Sequence, residues 1–228
     1  MKKRNYYILF TSIILLFLLL DQILKIWVKT NMSLGEQIPL LGNWLNLYFV
    51  ENEGMAFGIS LGQNIGKLFL SLARIVIVGF LIYYSLNIIK KEKANWIVIS
   101  IFALIVSGAL GNILDSVFYG LIFSESTPFA VATLFPPEGG YSGFLYGNVV
   151  DMFYVRLFYI PEWCPLWGGS HFFPAIFNIA DACVTMGILG VLIFNGKIFR
   201  DEKEVVELDE TSSSDEELPT NNNETVNS

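Results

Sequence analysis

The sequence predicts a mainly α membrane protein, with four transmembrane helices and a small extracytoplasmic β element. Three observations carry that expectation. Of 228 residues, 54% are hydrophobic and 19 are Phe, a bias too strong for an ordinary soluble domain. Four segments, about 7–28, 67–89, 96–119 and 175–195, reach the roughly 20 apolar residues needed to cross a bilayer. Lys and Arg, finally, gather on one side of those segments.

The first segment follows Lys2-Lys3-Arg4. Its apolar run is too long for the core of a signal peptide and no small-x-small cleavage site follows, so a retained helix is expected. Lys90, Lys91 and Lys93 fill the turn between the second and third segments, and Lys197, Arg200 and Lys203 follow the fourth. The long connections, 29–66 and 120–174, hold only Lys29 and Arg156 between them. Both termini are therefore expected in the cytoplasm and both long loops outside.

In the first outer loop, Asn43 to Val50 alternates roughly and is aromatic, as a strand would be. Gly42, Gly54, Gly58 and Gly62 punctuate it as turns. The second outer loop, rich in aromatics, Gly and Pro, predicts irregular structure near the interface. Two regions are expected: a membrane domain over 1–199 and a disordered, acidic cytoplasmic tail over 200–228. The net charge of −7 belongs to that tail, which holds 10 acids against 2 bases.

Cys164 and Cys183 give no disulfide framework; Cys183 reads as a buried structural thiol and Cys164 has no assigned role. His171 is the only histidine, which excludes the H-E-x-x-H pattern and leaves its loop position a solvated or interfacial reading. No cofactor, metal or nucleic acid is expected.

The polar residues inside the apolar segments carry the functional signal. Asn112 with Asp115, and Asn178 with Asp181, are Asn-x-x-Asp pairs whose spacing sets both groups on one helix face. With the predicted orientation, these pairs, Asp151, and Asp21 with Lys25 all reach one level just below the outer membrane surface. Ionisable groups at membrane depth are expensive and usually mark function. Each has a structural alternative: Asp21 with Lys25 as an ion pair tying the first helix to its neighbours, the amides as interhelical hydrogen-bond glue, Asp115 as a structural or orienting group. Arg74, on the second helix, is expected to snorkel or to pair with an acid.

Two aspartates close together share a proton. The ionised one can then take a proton from water while the protonated one polarises a carbonyl, which is peptide hydrolysis without a metal or a covalent intermediate. The competing reading is a small proton- or ion-coupled transporter. Four short helices, with no inverted repeat and no central polar path, weigh against it. A scaffold explains the helices but not the converging acids.

Five blocks in order resemble the lipoprotein signal peptidase (signal peptidase II) family over about residues 8–197. Asp21-Gln22-Ile23-Leu24-Lys25 resembles D-x-x-x-K, and Asn52-Glu53-Gly54-Met55-Ala56-Phe57 resembles N-x-G-x-A-F. Gly108 to Asp115 resembles G-x-x-G-N-x-x-D, Val149-Val150-Asp151 resembles V-V-D, and Phe173 to Asp181 resembles F-P-x-F-N-x-A-D with one further residue before Phe177. The resemblance implies a bacterial inner-membrane aspartic endopeptidase with Asp151 and Asp181 as the catalytic pair. Asp21, Lys25, Asn112, Asp115 and Asn178 would shape the site, and Asn52 and Gly54 would belong to a substrate-clamping segment. The implied substrate is a diacylglyceryl-modified prolipoprotein, cleaved before its lipidated Cys, with membrane lipid as the other partner and a monomer as the active form.

The chain departs from the family pattern at three places. Ser116 follows Asp115 where the family often has Arg, so Arg156 or Lys25 is expected to supply the missing cation. Met152 replaces a common Phe after V-V-D. An insertion of about 121–147 lengthens the second outer loop, either as a lid or substrate platform or as a passive excursion.

Overall fold

The computed structural model describes residues 2–42, 44–52, 63–91, 95–164, 168–169 and 175–195, with the main chain alone for 63–65. The expectations for Gly54, Gly58, Gly62, Lys93, His171 and the tail lie outside these residues.

The first apolar segment forms α1 (Lys3–Asn31), longer than expected at both ends. β1 (Gln37–Leu41) and β2 (Leu45–Asn52) follow, so the expected strand exists but is displaced two residues toward the C-terminus. Then come α2 (Gln63–Lys90) and α3 (Trp96–Leu114). The Asn95 side chain caps α3 by accepting from Ile97 N at 2.9 Å. α3 runs on through a π-helical turn, Asp115–Tyr119, into the short α4 (Gly120–Ile122). Lys3–Asn31, Gly66–Lys90 and Trp96–Ile122 are long and apolar enough to cross a membrane.

The fourth segment differs from expectation. Its start is a strand, and helix begins only at Ile179, because Asn178 stays extended as the N-cap. β3 (Val149–Val155) and β4 (Ala175–Phe177) precede α5 (Ile179–Ile193), whose 15 described residues span about 22 Å. The four strands form one antiparallel sheet in the order β1-β2-β3-β4. β3 was hidden from the sequence because it carries Val-Val-Asp-Met-Phe-Tyr-Val, a run without polar alternation that is buried at its first four residues.

Two apolar clusters hold this together. Phe10 of α1, Val78 and Ile89 of α2, and Ile99, Phe102 and Val106 of α3 pack between the helices. Val28, Met32, Phe49, Tyr119, Phe123, Val150 and Met152 join the C-terminal end of α1 to the sheet and the insertion. The insertion is tied down by backbone bonds, among them Leu34 N to Thr127 O at 3.0 Å and Tyr141 N to Phe123 O at 2.9 Å. Its final glycine closes on the π-helical turn. Gly147 N donates to Ser116 O at 2.9 Å, and a Cβ at Gly147 would fall 2.1 Å from Asp115 O.

Candidate active site

Local chemistry at the start of α5 places Asp181. Asn178 and Asp181 form a reciprocal cap: Asn178 Oδ1 accepts from Asp181 N at 2.8 Å, and Asp181 Oδ2 accepts from Asn178 N at 3.3 Å. The Asn-x-x-Asp spacing is thus a helix start as much as a pair on one face. A second anchor comes from α1, where Asp21 Oδ1 accepts from Ala180 N at 2.9 Å. That sets a carboxylate against the positive end of the α5 dipole.

Asp151 is the third residue of β3 and is buried. Asn178 Nδ2 donates to its Oδ1 at 2.7 Å, and Asn52 Nδ2, from the end of β2, donates to its Oδ2 at 3.3 Å. Across the site, Asn112 Nδ2 donates to Asp181 Oδ1 at 2.8 Å. Asn178 Nδ2 also reaches Asn112 Oδ1 at 3.2 Å, so two amides link the two carboxylates into one network. Burial first, and then the charge of Asp181, push the Asp151 carboxyl up to about 7.

Beneath this pair lies a fully buried cation. Lys25 Nζ is 2.8 Å from Asp21 Oδ2 and 2.7 Å from Asp115 Oδ2, and it donates to Asn112 Oδ1 at 2.9 Å. All three ammonium hydrogens thereby have oxygen partners. Asp115 also takes Gln22 Nε2 at 2.9 Å and Val150 N at 3.3 Å, so it ties β3 to α3. Asp21–Lys25 is an ion pair within α1, four residues apart, and through Lys25 it reaches Asp115 and Asn112 on the neighbouring helical run.

Of the expected site residues, the fold brings together Asp21, Lys25, Asn52, Asn112, Asp115, Asp151, Asn178 and Asp181; Gly54 lies outside the described residues. Lys25 supplies the cation for Asp115. Arg156 does not: its guanidinium carbon lies 5.1 Å over the Tyr154 ring and its Nε is buried without a partner. Ser116 turns inward instead, donating to Asn112 O at 3.0 Å. Arg74 faces this acidic site, interacting with Asp181, Asp115 and Asp151 through space. Cys183 is buried on α5, and both cysteines are free.

Sequence reading missed several polar residues. Gln22 is one, although it sits inside the Asp21-to-Lys25 block; it donates to Asp115 and accepts from Tyr119 Oη at 3.1 Å. Lys29 is another, assigned to a loop because the expected helix stopped at 28. With α1 continuing to Asn31, Asp21, Lys25 and Lys29 form one stripe at four-residue intervals. Among the described residues, no group of three or more His, Cys, Asp or Glu is arranged to hold a metal. The site as built offers paired carboxylates, amide donors and one buried ammonium, the equipment of acid–base hydrolysis.

Residues 13–196 match the signal peptidase (SPase) II family. A lipoprotein signal peptidase of Porphyromonas gingivalis is 47% identical over 186 residues, 80% of this chain and 80% of that one. Another, from Amoebophilus asiaticus, is 35% identical over 92% of this chain and 86% of its own. A bacterial membrane enzyme solved by the in meso method at 1.9 Å resolution shares the fold, at 25% identity and a TM-score of 0.55, covering 81% of this chain and 90% of that one. A second, at 2.3 Å, is 21% identical with a TM-score of 0.53, covering 93% and 94%.

Proposed function

This chain belongs to the signal peptidase II family of aspartic endopeptidases, and on that premise we propose that Asp151 and Asp181 are its catalytic pair. The activity is removal of signal peptides from prolipoproteins. The observation that carries the assignment is the amide bridge. Asn178 donates to Asp151 and Asn112 to Asp181, while Asn178 and Asn112 bond each other.

Two carboxylates so joined share one proton in the reaction, and Asp151, raised to about 7, can hold it near neutrality. The ionised carboxylate takes a proton from water as the water oxygen attacks the scissile carbonyl carbon. The protonated carboxyl gives its proton to the carbonyl oxygen, and a gem-diol forms. Collapse returns a diol proton to a carboxylate and delivers the other carboxyl's proton to the amide nitrogen. The C–N bond breaks, releasing an acid and an amine and leaving the pair with one proton. Asn112 and Asn178 hold the two carboxylates at a fixed spacing, while Asp21 and Asp115 anchor α5 and β3. Lys25 offsets their charge.

The finer reading follows from where the pair lies. Asp151 is on the sheet and Asp181 at the start of an apolar helix, so the scissile bond would be presented at a membrane boundary. A diacylglyceryl-modified precursor suits this, with its acyl chains in lipid and the bond before its Cys at the pair. The enzyme lies in the bacterial inner membrane with both termini cytoplasmic, and it acts as a monomer because one chain supplies the whole network. Residues Asn52 and Gly54 lie on the segment that clamps the substrate.

The test is cleavage of a purified diacylglyceryl-prolipoprotein by detergent-solubilised protein. Wild type should cut before the lipidated Cys, and Asp151→Asn and Asp181→Asn should each be folded and inert. Retained turnover in either variant would remove that residue from the pair.

A further inference from the structure

A second buried polar cluster adjoins the acidic one, and no step above uses it. Lys29, fully buried on α1, is ion-paired to Glu51 of β2. Its ammonium also donates to Ser126 Oγ at 2.8 Å, and Ser126 donates to Glu51 Oε1 at 2.6 Å. Asn148, immediately before β3, donates from Nδ2 to Glu51 Oε2 at 2.9 Å. Ser126 comes from the insertion, as does Tyr141, whose ring centroid lies 4.9 Å from the Lys29 ammonium. Among the insertion's ties to α1 and β2, the polar one runs through Ser126, which meets both Lys29 and Glu51.

That carboxylate is one residue from the site. Glu51 and Asn52 are consecutive, so they leave the strand on opposite faces. Asn52 is the last residue of β2, paired with Val149, and its bond to Asp151 is long at 3.3 Å. A bond just beyond the usual N–H···O range is broken by a small movement of the strand end. Beside its ladder pairing with β3, this strand end is held by Glu51, which is pinned from α1, from the insertion and from the start of β3.

We propose that Glu51, gripped by Lys29 and Ser126, is a positioning residue for the peptidase reaction, fixing the end of β2 so that Asn52 donates to Asp151. The insertion then acts as a buttress that supplies Ser126 to that grip. This rests on the reading of Asp151 as catalytic. The charges around the two carboxylates are those already placed: Lys29 and Tyr141 face Glu51, and Asp181, Lys25 and Arg74 face Asp151.

The experiment uses the full chain in detergent with a diacylglyceryl-prolipoprotein. Glu51→Gln should lower kcat about tenfold with KM within about twofold, the loss expected when a hydrogen bond to a charged group is weakened. The alkaline limb of its kcat profile should move to higher pH, because the Asn52 bond favours the ionised Asp151. Glu51→Gln added to Asn52→Ala should cause no further loss, since both act through one bond. Wild-type kcat with an unmoved limb, or two losses that simply multiply, would overturn the inference. Should the single variant misfold around an unpaired Lys29, the K29M/E51Q pair removes both charges and decides. A low kcat is expected there, and a wild-type kcat overturns the inference. An Asp151→Asn protein that still cleaves would sink the catalytic reading and this one with it. An inert Asp151→Asn beside a normal Glu51→Gln sinks this inference alone.

Discussion

Lys25 Nζ lies 2.7 Å from Asp115 Oδ2, and neither side chain is open to solvent. The family's frequent Arg after this aspartate is Ser116 here, so one lysine on α1 neutralises both Asp115 and Asp21. Removing one partner of a buried ion pair strands the other, which typically costs about 3–5 kcal/mol. Lys25→Met should therefore lower stability by about that much and abolish turnover. Adding Asp115→Asn should restore part of the stability. Unfolding in detergent checks both; an unchanged melting temperature for Lys25→Met would mean that the cation is not needed.

Arg156→Ala should behave in the opposite way. Its guanidinium stacks on Tyr154 and finds no carboxylate among the described residues. Loss of a partly exposed cation–π contact is worth about 0.5–1 kcal/mol. Turnover within about twofold of wild type is expected from the same cleavage assay, and a collapse of activity would reinstate Arg156 as a site cation.

How much of this was legible in the sequence follows from the kind of interaction. Asp21, Lys25, Asn112, Asp115, Asn178 and Asp181 announced themselves because a charge or amide in an apolar run needs a reason, and helical spacing gave their faces. The sheet was only half visible. β2 alternates, but β3 is buried at Val149 to Met152 and reads like any apolar stretch, while β4 was absorbed into the helix it precedes. Glu51 and Ser126 were invisible for another reason: 75 residues separate them, and loop residues carry no period that would bring them together. Their meeting depends on tertiary packing alone. Lys29 could have been found from the stripe it makes with Asp21 and Lys25, had α1 been allowed one more turn.

Packing of α3 on α5 gives a prediction about glycine. A Cβ on Gly108 would lie 2.1 Å from Ala180 O and 2.8 Å from Val184 Cγ2, so the two helices approach closely only because that residue has no side chain. Gly108→Ala must push α5 away, shifting Asp181, the residue that follows Ala180 in the first turn of α5. Overpacking of this kind costs about 1–3 kcal/mol, and a fall in kcat should accompany it. Gly79→Ala on α2 is the control, because its Cβ meets nothing within 4 Å. There the higher helix propensity of Ala should leave stability equal or slightly raised. Equal behaviour of the two variants in detergent melting would argue against the close approach.

The pH dependence follows from Asp151, whose carboxyl sits at about 7 against an ordinary 3.8. Between those values the native protein holds a proton that the unfolded chain has lost. Stability from this group is thus fully present below about pH 4, falls as pH rises, and levels off above about 7. With Asp151 and Asp181 as the proposed pair, activity needs one proton between them, so kcat should decline on an alkaline limb near pH 7. Asp181→Asn separates the causes. It removes the neighbouring charge but not the burial, so the Asp151 value should fall part of the way back. In an inert variant this is read from unfolding: the pH at which stability levels off should drop below that of wild type. A plateau that stays near 7 would mean that burial alone sets the value and that the two carboxylates do not share their proton.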